Sequence, residues 1–307
     1  MRNVIVNVTF LLQAGKAVGF QPLPITPVSN SLLDFSKHSN LSHNDVVNYQ
    51  PRLQSTSYPL LSLKASTSSS TPSSDSVVDT GAIVKYGVAA VTQLSLISAF
   101  LYGIDQIIAQ TGLTVPTAIT WIMCYAFSLK SRVFNPLNND RPERKGIDGE
   151  EEEGSKIFED RIQPSWTPPG VVFPIMWVLI IGPLRATSST MIIQSLGEYW
   201  TLPFMSLILH LTCGDIWNTI NNGEKRFGAS VVGVSCVYVT ALNAAWQYYQ
   251  VDPLAGKLLG ATAIWLTIAS ALIVQFWRLN VDKEGKMDSL LPMKMEGEES
   301  KTQFSWF

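Results

Sequence analysis

The chain has 307 residues, 46% of them hydrophobic and only 15% charged, with a mean hydropathy of +0.17. This is more apolar and less charged than a soluble globular protein of ordinary composition, and it points to a membrane. A formal net charge of −2 without a clustered basic stripe argues against a nucleic-acid binder. Cys124, Cys213 and Cys236 are scattered through apolar segments without a CxxC pair, so neither a disulfide framework nor a thiolate metal site is expected, and they read as small buried apolar residues.

Residues 1–81 read as a targeting leader. Arg2, a short apolar region from Val4 to Leu12 and small residues up to Gly19 follow the grammar of a signal peptide. From Phe20 the chain is Ser-rich and poor in acids, and STSSSTPSSDS (Ser66 to Ser76) cannot bury enough apolar surface to fold. The two parts resemble the bipartite leaders of plastid proteins in diatoms and related algae, with AVGFQP near the first cleavage point. Mitochondrial import is the alternative.

Six apolar stretches follow, at about 86–104, 111–129, 168–193, 199–220, 227–250 and 254–277. Each is near the roughly 20 residues that a helix needs to cross a bilayer. Basic residues fall in alternate connections. The second holds Lys130, Arg132, Arg141, Arg144, Lys145, Lys156 and Arg161, the fourth Lys225 and Arg226, and the tail opens with Arg278, Lys283 and Lys286. This alternation places both termini on one side of the membrane. The first stretch is the least apolar, and its Gly87, Ala89, Ala90, Ser95, Ser98 and Ala99 would permit close helix contact. The second connection carries RPERKGIDGEEEEG, which reads as a solvated loop.

The third stretch is entered through QPSWTPPGVVFPIMW (Gln163 to Trp177). Pro164 stiffens the approach, Trp166 suits a membrane interface, and Pro168 and Pro169 are expected in a helix first turn, where missing N–H donors are tolerated. Phe173 and Trp177, four apart, share one helix face. In the fourth stretch His210, Gly214, Asn218 and Asn222 form a polar stripe, with Asp215 nearby. His210 has two readings: an axial ligand to a heme or chlorophyll-type metal, or an interhelical hydrogen-bonding residue. Asp215 is expected to pair with Arg185 of the preceding stretch.

PSWTPPG followed by VF and Trp resembles the entry to the second helix of the translocator protein family (TspO/MBR, peripheral benzodiazepine receptor-related). VDPLAGKLLGATAIWLTIASALIVQFWRLN (Val251 to Asn280) is similar to its last helix. The resemblance covers residues 111–280 and implies an all-α membrane fold: a five-helix transmembrane bundle, here with one additional N-terminal helix at 82–110, a charged loop at 130–162 and a polar tail at 281–307. It further implies a binding protein for tetrapyrroles such as porphyrin, heme or chlorophyll intermediates, or for a sterol-like molecule, acting as sensor, carrier or scavenger. No obligatory cofactor is implied, although a bound porphyrin or heme is. Pro164, Trp166, Pro168 and Pro169 would cover the cavity, while Phe173, Trp177 and Trp265 would line it, with His210 beside them. Membrane lipid and a second copy of the chain are the implied partners. The family's Trp-Tyr pair before the loop is replaced by IFEDRI, and its LNxxWxPxFFG pattern by LHLTCGDIWNTINNG, in which His210 and Cys213 replace Asn and Trp. The last helix has Gly260-Ala261 where the family has a proline. These departures resemble plastid-type members of plants and algae.

No GxSxG, HExxH, P-loop or pair of carboxylates within one span is present, so catalysis is not expected. Light-dependent porphyrin breakdown, reported for some relatives, would use the pigment as the photochemical agent. The alternative function is an assembly subunit of a plastid membrane complex, held through the first helix and the charged loop.

Overall fold

The structure is a computed structural model that describes residues 76–139, 162–282 and 285–306. The leader up to Asp75 and the acidic part of the charged loop lie outside the described residues. Six helices run through the described residues: α1 (Thr80–Thr111), α2 (Thr117–Lys130), α3 (Val172–Leu196), α4 (Leu202–Asn218), α5 (Phe227–Val251) and α6 (Pro253–Leu279). Around the bundle α2 packs on α3, α3 on α6, α6 on α5 and α5 on α4, with α1 laid against α4.

Helix α1 is capped by the Asp79 carboxylate, which accepts from the Ala82 N–H at 2.9 Å, and it ends at Gly112 in the left-handed conformation (φ 66°). Its 32 residues make a rod about 48 Å long, more than the hydrocarbon thickness requires. One stripe, Ala82, Ala89, Gln93, Ile97 and Leu101, is buried, while Val84, Val88, Val91 and Ile107 stay exposed, as suits a helix bathed in lipid on its outer side.

The second apolar stretch does not form a full span. Gly112 and Pro116 break the chain, so α2 starts at Thr117 and has 14 residues, about 21 Å, before a 3₁₀ turn at Ser131–Phe134. Helix α4 is also short, at 17 residues, and continues as a π turn over Thr219–Gly223. Four helices, α1, α3, α5 and α6, are long and apolar enough to cross a membrane on their own.

The third stretch starts four residues later than expected. Pro168 and Pro169 lie in the approach, not in the first helical turn, and Pro169 offers its carbonyl to the N–H of Val172, where α3 begins. Within α3 the segment Ile175–Ile181 is π-helical, with the Gly182 N–H donating to the Trp177 carbonyl. Pro183 explains the widening: it has no N–H for Leu179, and its ring would strike that carbonyl in a regular α-turn. Gly182 follows from packing, because a Cβ there would lie 2.8 Å from the Tyr125 ring of α2.

The first-to-second, third-to-fourth and fifth-to-sixth connections gather at one end of the bundle, where Asp105 of α1 accepts from the Tyr199 and Trp200 N–H groups, both at 2.8 Å. At the other end the basic connections meet the tail. The tail is an ordered strap. Its strand β2 (Met293–Met295) pairs antiparallel with β1 (Ser76–Val78), with Val77 opposite Lys294. Further on, the Asn138 N–H donates to the Gln303 carbonyl and the Ser305 N–H to that of Pro136, each at 2.8 Å. Beneath the strap Arg226 pairs with Asp79 at 2.6 Å and with Glu224 at 3.2 Å, Ser300 donates to Asp79, Thr302 donates to Glu224, and Tyr86 donates to the same Glu224 carboxylate.

Burial alone would raise the Asp79 pKa, but the Arg226 bond, the Ala82 N–H and Ser300 together outweigh it and hold the carboxyl below the ordinary range. A depressed carboxylate stabilises the fold fully above its unfolded value of about 3.9 and loses that contribution as pH falls through its lower folded value. Thermal unfolding in detergent is therefore expected to drop below about pH 4, with the tail becoming protease-sensitive in the same interval. Arg226→Gln, which leaves the Asp79 carboxylate buried without its cation, is expected to cost about 3 kcal/mol at neutral pH. Asp79→Asn in that background should recover part of the loss, and unfolding curves of the three variants check both statements.

Candidate functional site

The aromatic residues singled out in the sequence converge between α3, α4, α5 and α6. Phe173 lies edge-on to Trp265, with ring centroids 5.8 Å apart at 67°. Phe173 and Trp217 pack on Val234, Leu272, Ile273 and Phe276. Trp177, Cys213, Trp217 and Tyr238 pack on Val237, Ala241 and Leu266. Trp217 therefore joins the two groups into one aromatic wall. The π turn of α3 carries Trp177, so the proline-forced widening sets its position against α5 and α6. The indole N–H groups of Trp217 and Trp265 are buried without a hydrogen-bond partner.

The proline-rich approach closes onto α6. Trp166 is 43% exposed and donates its indole N–H to Gln275. The Ile162 N–H donates to the Asn280 side chain at 2.9 Å, and the Asn280 amide returns a bond to the Ile162 carbonyl at 3.0 Å. Pro164 is buried, Pro168 is half-buried and Pro169 is exposed. Pro164 closes a small turn by accepting from the Thr167 N–H.

Arg185, one turn beyond the π segment, is 5% exposed. Its guanidinium carbon sits 5.5 Å from the Trp177 ring centroid, and its Nη2 donates to His210 Nε2 at 2.6 Å. Because arginine only donates, Nε2 is the acceptor, so Nδ1 carries the proton and donates to the Val237 carbonyl at 3.0 Å. In the structure His210 bonds to α3 and α5 through its two ring nitrogens. Both ring nitrogens are engaged, which does not suit an axial metal ligand. Among the described residues no group of three or more His, Cys, Asp or Glu is placed to hold a metal ion.

Asp215 does not pair with Arg185. It turns toward α1 and the exit of α2, where the fully buried Gln93 Nε2 and the Ser131 hydroxyl each donate to its carboxylate at 2.7 Å. Asn135 donates to Gln93 at 2.7 Å, and Arg132 donates to the Asp215 carbonyl at 2.8 Å and to Thr219 at 2.9 Å. The polar stripe expected along α4 is therefore split: residues five apart on a 3.6-residue helix point about 140° apart, so His210 serves α3 and α5 while Asp215 serves α1 and α2. Asn218 and Asn222 bond to each other near the end of the helix. Of the cysteines, Cys124 is buried, Cys213 half-buried and Cys236 exposed on α5, so the expectation of burial fails for Cys236.

Sequence reasoning missed Trp217 as a member of the wall, and Gln93, Ser131 and Asn135 as partners of Asp215. Trp217 had a legible signal, since it lies seven residues after His210 and so on nearly the same face. The Gln93 network had none, because its members come from three separate parts of the chain.

Residues 145–278 match the TspO/MBR family, a stretch that holds the proline-rich approach and α3 to α6, with α1 and α2 before it. Over 123 residues the chain is 27% identical to the tryptophan-rich sensory protein of Cereibacter sphaeroides, covering 40% of this chain and 76% of that protein. Protein CrtK of Rhodobacter capsulatus is 25% identical over 126 residues, with 40% and 78% covered. The human translocator protein is 28% identical over 131 residues, with 42% and 77% covered. The matched stretch, fewer than half of the chain's residues, contains the proline-rich motif, the aromatic wall and three of the four long apolar helices, and over it the chain is similar to the TspO/MBR family.

Proposed function

We propose that the protein is an integral membrane binding protein that holds a flat apolar ligand of the tetrapyrrole class, a porphyrin, heme or chlorophyll intermediate, against the wall of Phe173, Trp177, Trp217 and Trp265. It acts as a sensor, carrier or scavenger. The observation that carries this reading is the convergence of these rings from three helices with two indole N–H groups left unpaired. Indole faces offer wide stacking area to a flat ring system, and the N–H groups offer bonds to polar atoms on it. Names of relatives such as sensory protein and translocator protein agree with binding as the primary act. The Trp166 loop covers the approach, and its prolines lower the entropy lost when it closes. The composition of the leader supports a plastid membrane as the location.

Titration of the detergent-solubilised protein with protoporphyrin IX is expected to give saturable tryptophan quenching. Trp177→Ala/Trp265→Ala is expected to weaken binding by about 1 kcal/mol or more, roughly fivefold. Linear quenching shared by both proteins would show partitioning into the micelle and defeat the reading. A fluorescent protein fused behind residues 1–81 is expected to reach plastids in an algal cell, and its arrival in mitochondria would correct the location.

A further inference from the structure

Arg185 is a buried cation without a carboxylate in direct contact among the described residues. Its relative exposure is 5%, and it takes no part in the ion pairs among the described residues. Its immediate partners are neutral: the Trp177 ring face and His210 Nε2. His210 cannot supply negative charge, and it is fixed in turn by the Val237 carbonyl. The carboxylate of Asp215 gives its direct bonds to Gln93 and Ser131 and acts on Arg185 only through space, with no bond between them. The Arg185 Nε is buried with no acceptor. A guanidinium in an apolar bundle is costly to maintain, and such groups pair or mark a ligand path.

We infer that the site selects flat ligands that carry an acidic group, and that Arg185 receives that group as a carboxylate. The inference rests on the aromatic wall being a ligand site, as proposed above. The chemistry follows from the fork: Nε–H and the adjacent N–H of Nη2 match the two oxygens of a carboxylate, while the second N–H of Nη2 stays on His210. Trp177 then has two roles, since its face holds the guanidinium while its ring belongs to the wall on which the ligand stacks. His210 is a positioning residue, because it holds the fork from behind and touches no ligand. A neutral ligand of the same shape would leave the cation unpaired and gain nothing from it.

The test compares protoporphyrin IX, a dicarboxylic acid, with its dimethyl ester on the wild type, Arg185→Gln and Arg185→Lys in one detergent, so that partitioning is matched among the proteins. The wild type is expected to bind the acid at least tenfold more tightly than the ester. In Arg185→Gln that ratio should fall toward one through loss of affinity for the acid, and Arg185→Lys should keep part of it. Equal binding of acid and ester by the wild type would overturn the inference and leave the aromatic site standing. An acid preference unchanged in Arg185→Gln would also overturn it, by placing the selectivity elsewhere. If neither probe saturates, the aromatic site itself fails and the inference with it. Should Arg185→Gln not fold, the wild-type ratio and the Arg185→Lys variant still decide.

Discussion

The Asp215 carboxylate, buried in the last turn of α4, fixes more of this architecture than any apolar contact does. With no water to solvate it, it must draw donors from the protein, and it draws them from two other segments: Gln93 of α1 and Ser131 at the exit of α2. Gln93 is then completed by Asn135, and Arg132 of the same turn closes on the α4 backbone. Helix α1 thus joins the bundle as an integral part, although it precedes the family-matched stretch. Hydrocarbon alone would give α1 little reason to choose α4, because lipid is as apolar as a helix face. The buried polar node supplies the choice.

Departures from regular helix geometry position the other side of α4. Pro183 opens α3 into a π turn, the turn carries Trp177 toward α5 and α6, and Arg185 follows on the next turn to meet His210. Gly182 lets this widened backbone lie against Tyr125 of α2 without a side chain between them. The wall of rings therefore depends on a backbone irregularity that two adjacent residues, Gly182 and Pro183, impose.

Helix number, the basic end of the bundle and the aromatic members Phe173, Trp177 and Trp265 were legible in the sequence, because each depends on local periodicity or a short motif. The extent of α2 was also encoded locally, in Gly112 and Pro116, but hydropathy averaged over the stretch conceals such breaks. Partner choice was not legible. Arg185 was matched to Asp215 by complementary charge, whereas geometry gave it to His210 and gave Asp215 to Gln93. The tail likewise reads as polar and unstructured by composition, yet its backbone pairs with β1 and its hydroxyls complete the Asp79–Arg226–Glu224 cluster. Pairings between residues more than a hundred positions apart leave no periodicity to detect.

These anchors differ in strength around the site. Helix α4 is held on one face by buried bonds to α1 and α2 and on the other by the Arg185–His210 contact, all shielded from water. The approach from Ile162 to Gly170 is held by exposed bonds, Trp166 to Gln275 and Ile162 to Asn280. Exposed bonds exchange with water at little cost, whereas buried ones do not. Displacing this approach would therefore cost less than displacing α4 with its network.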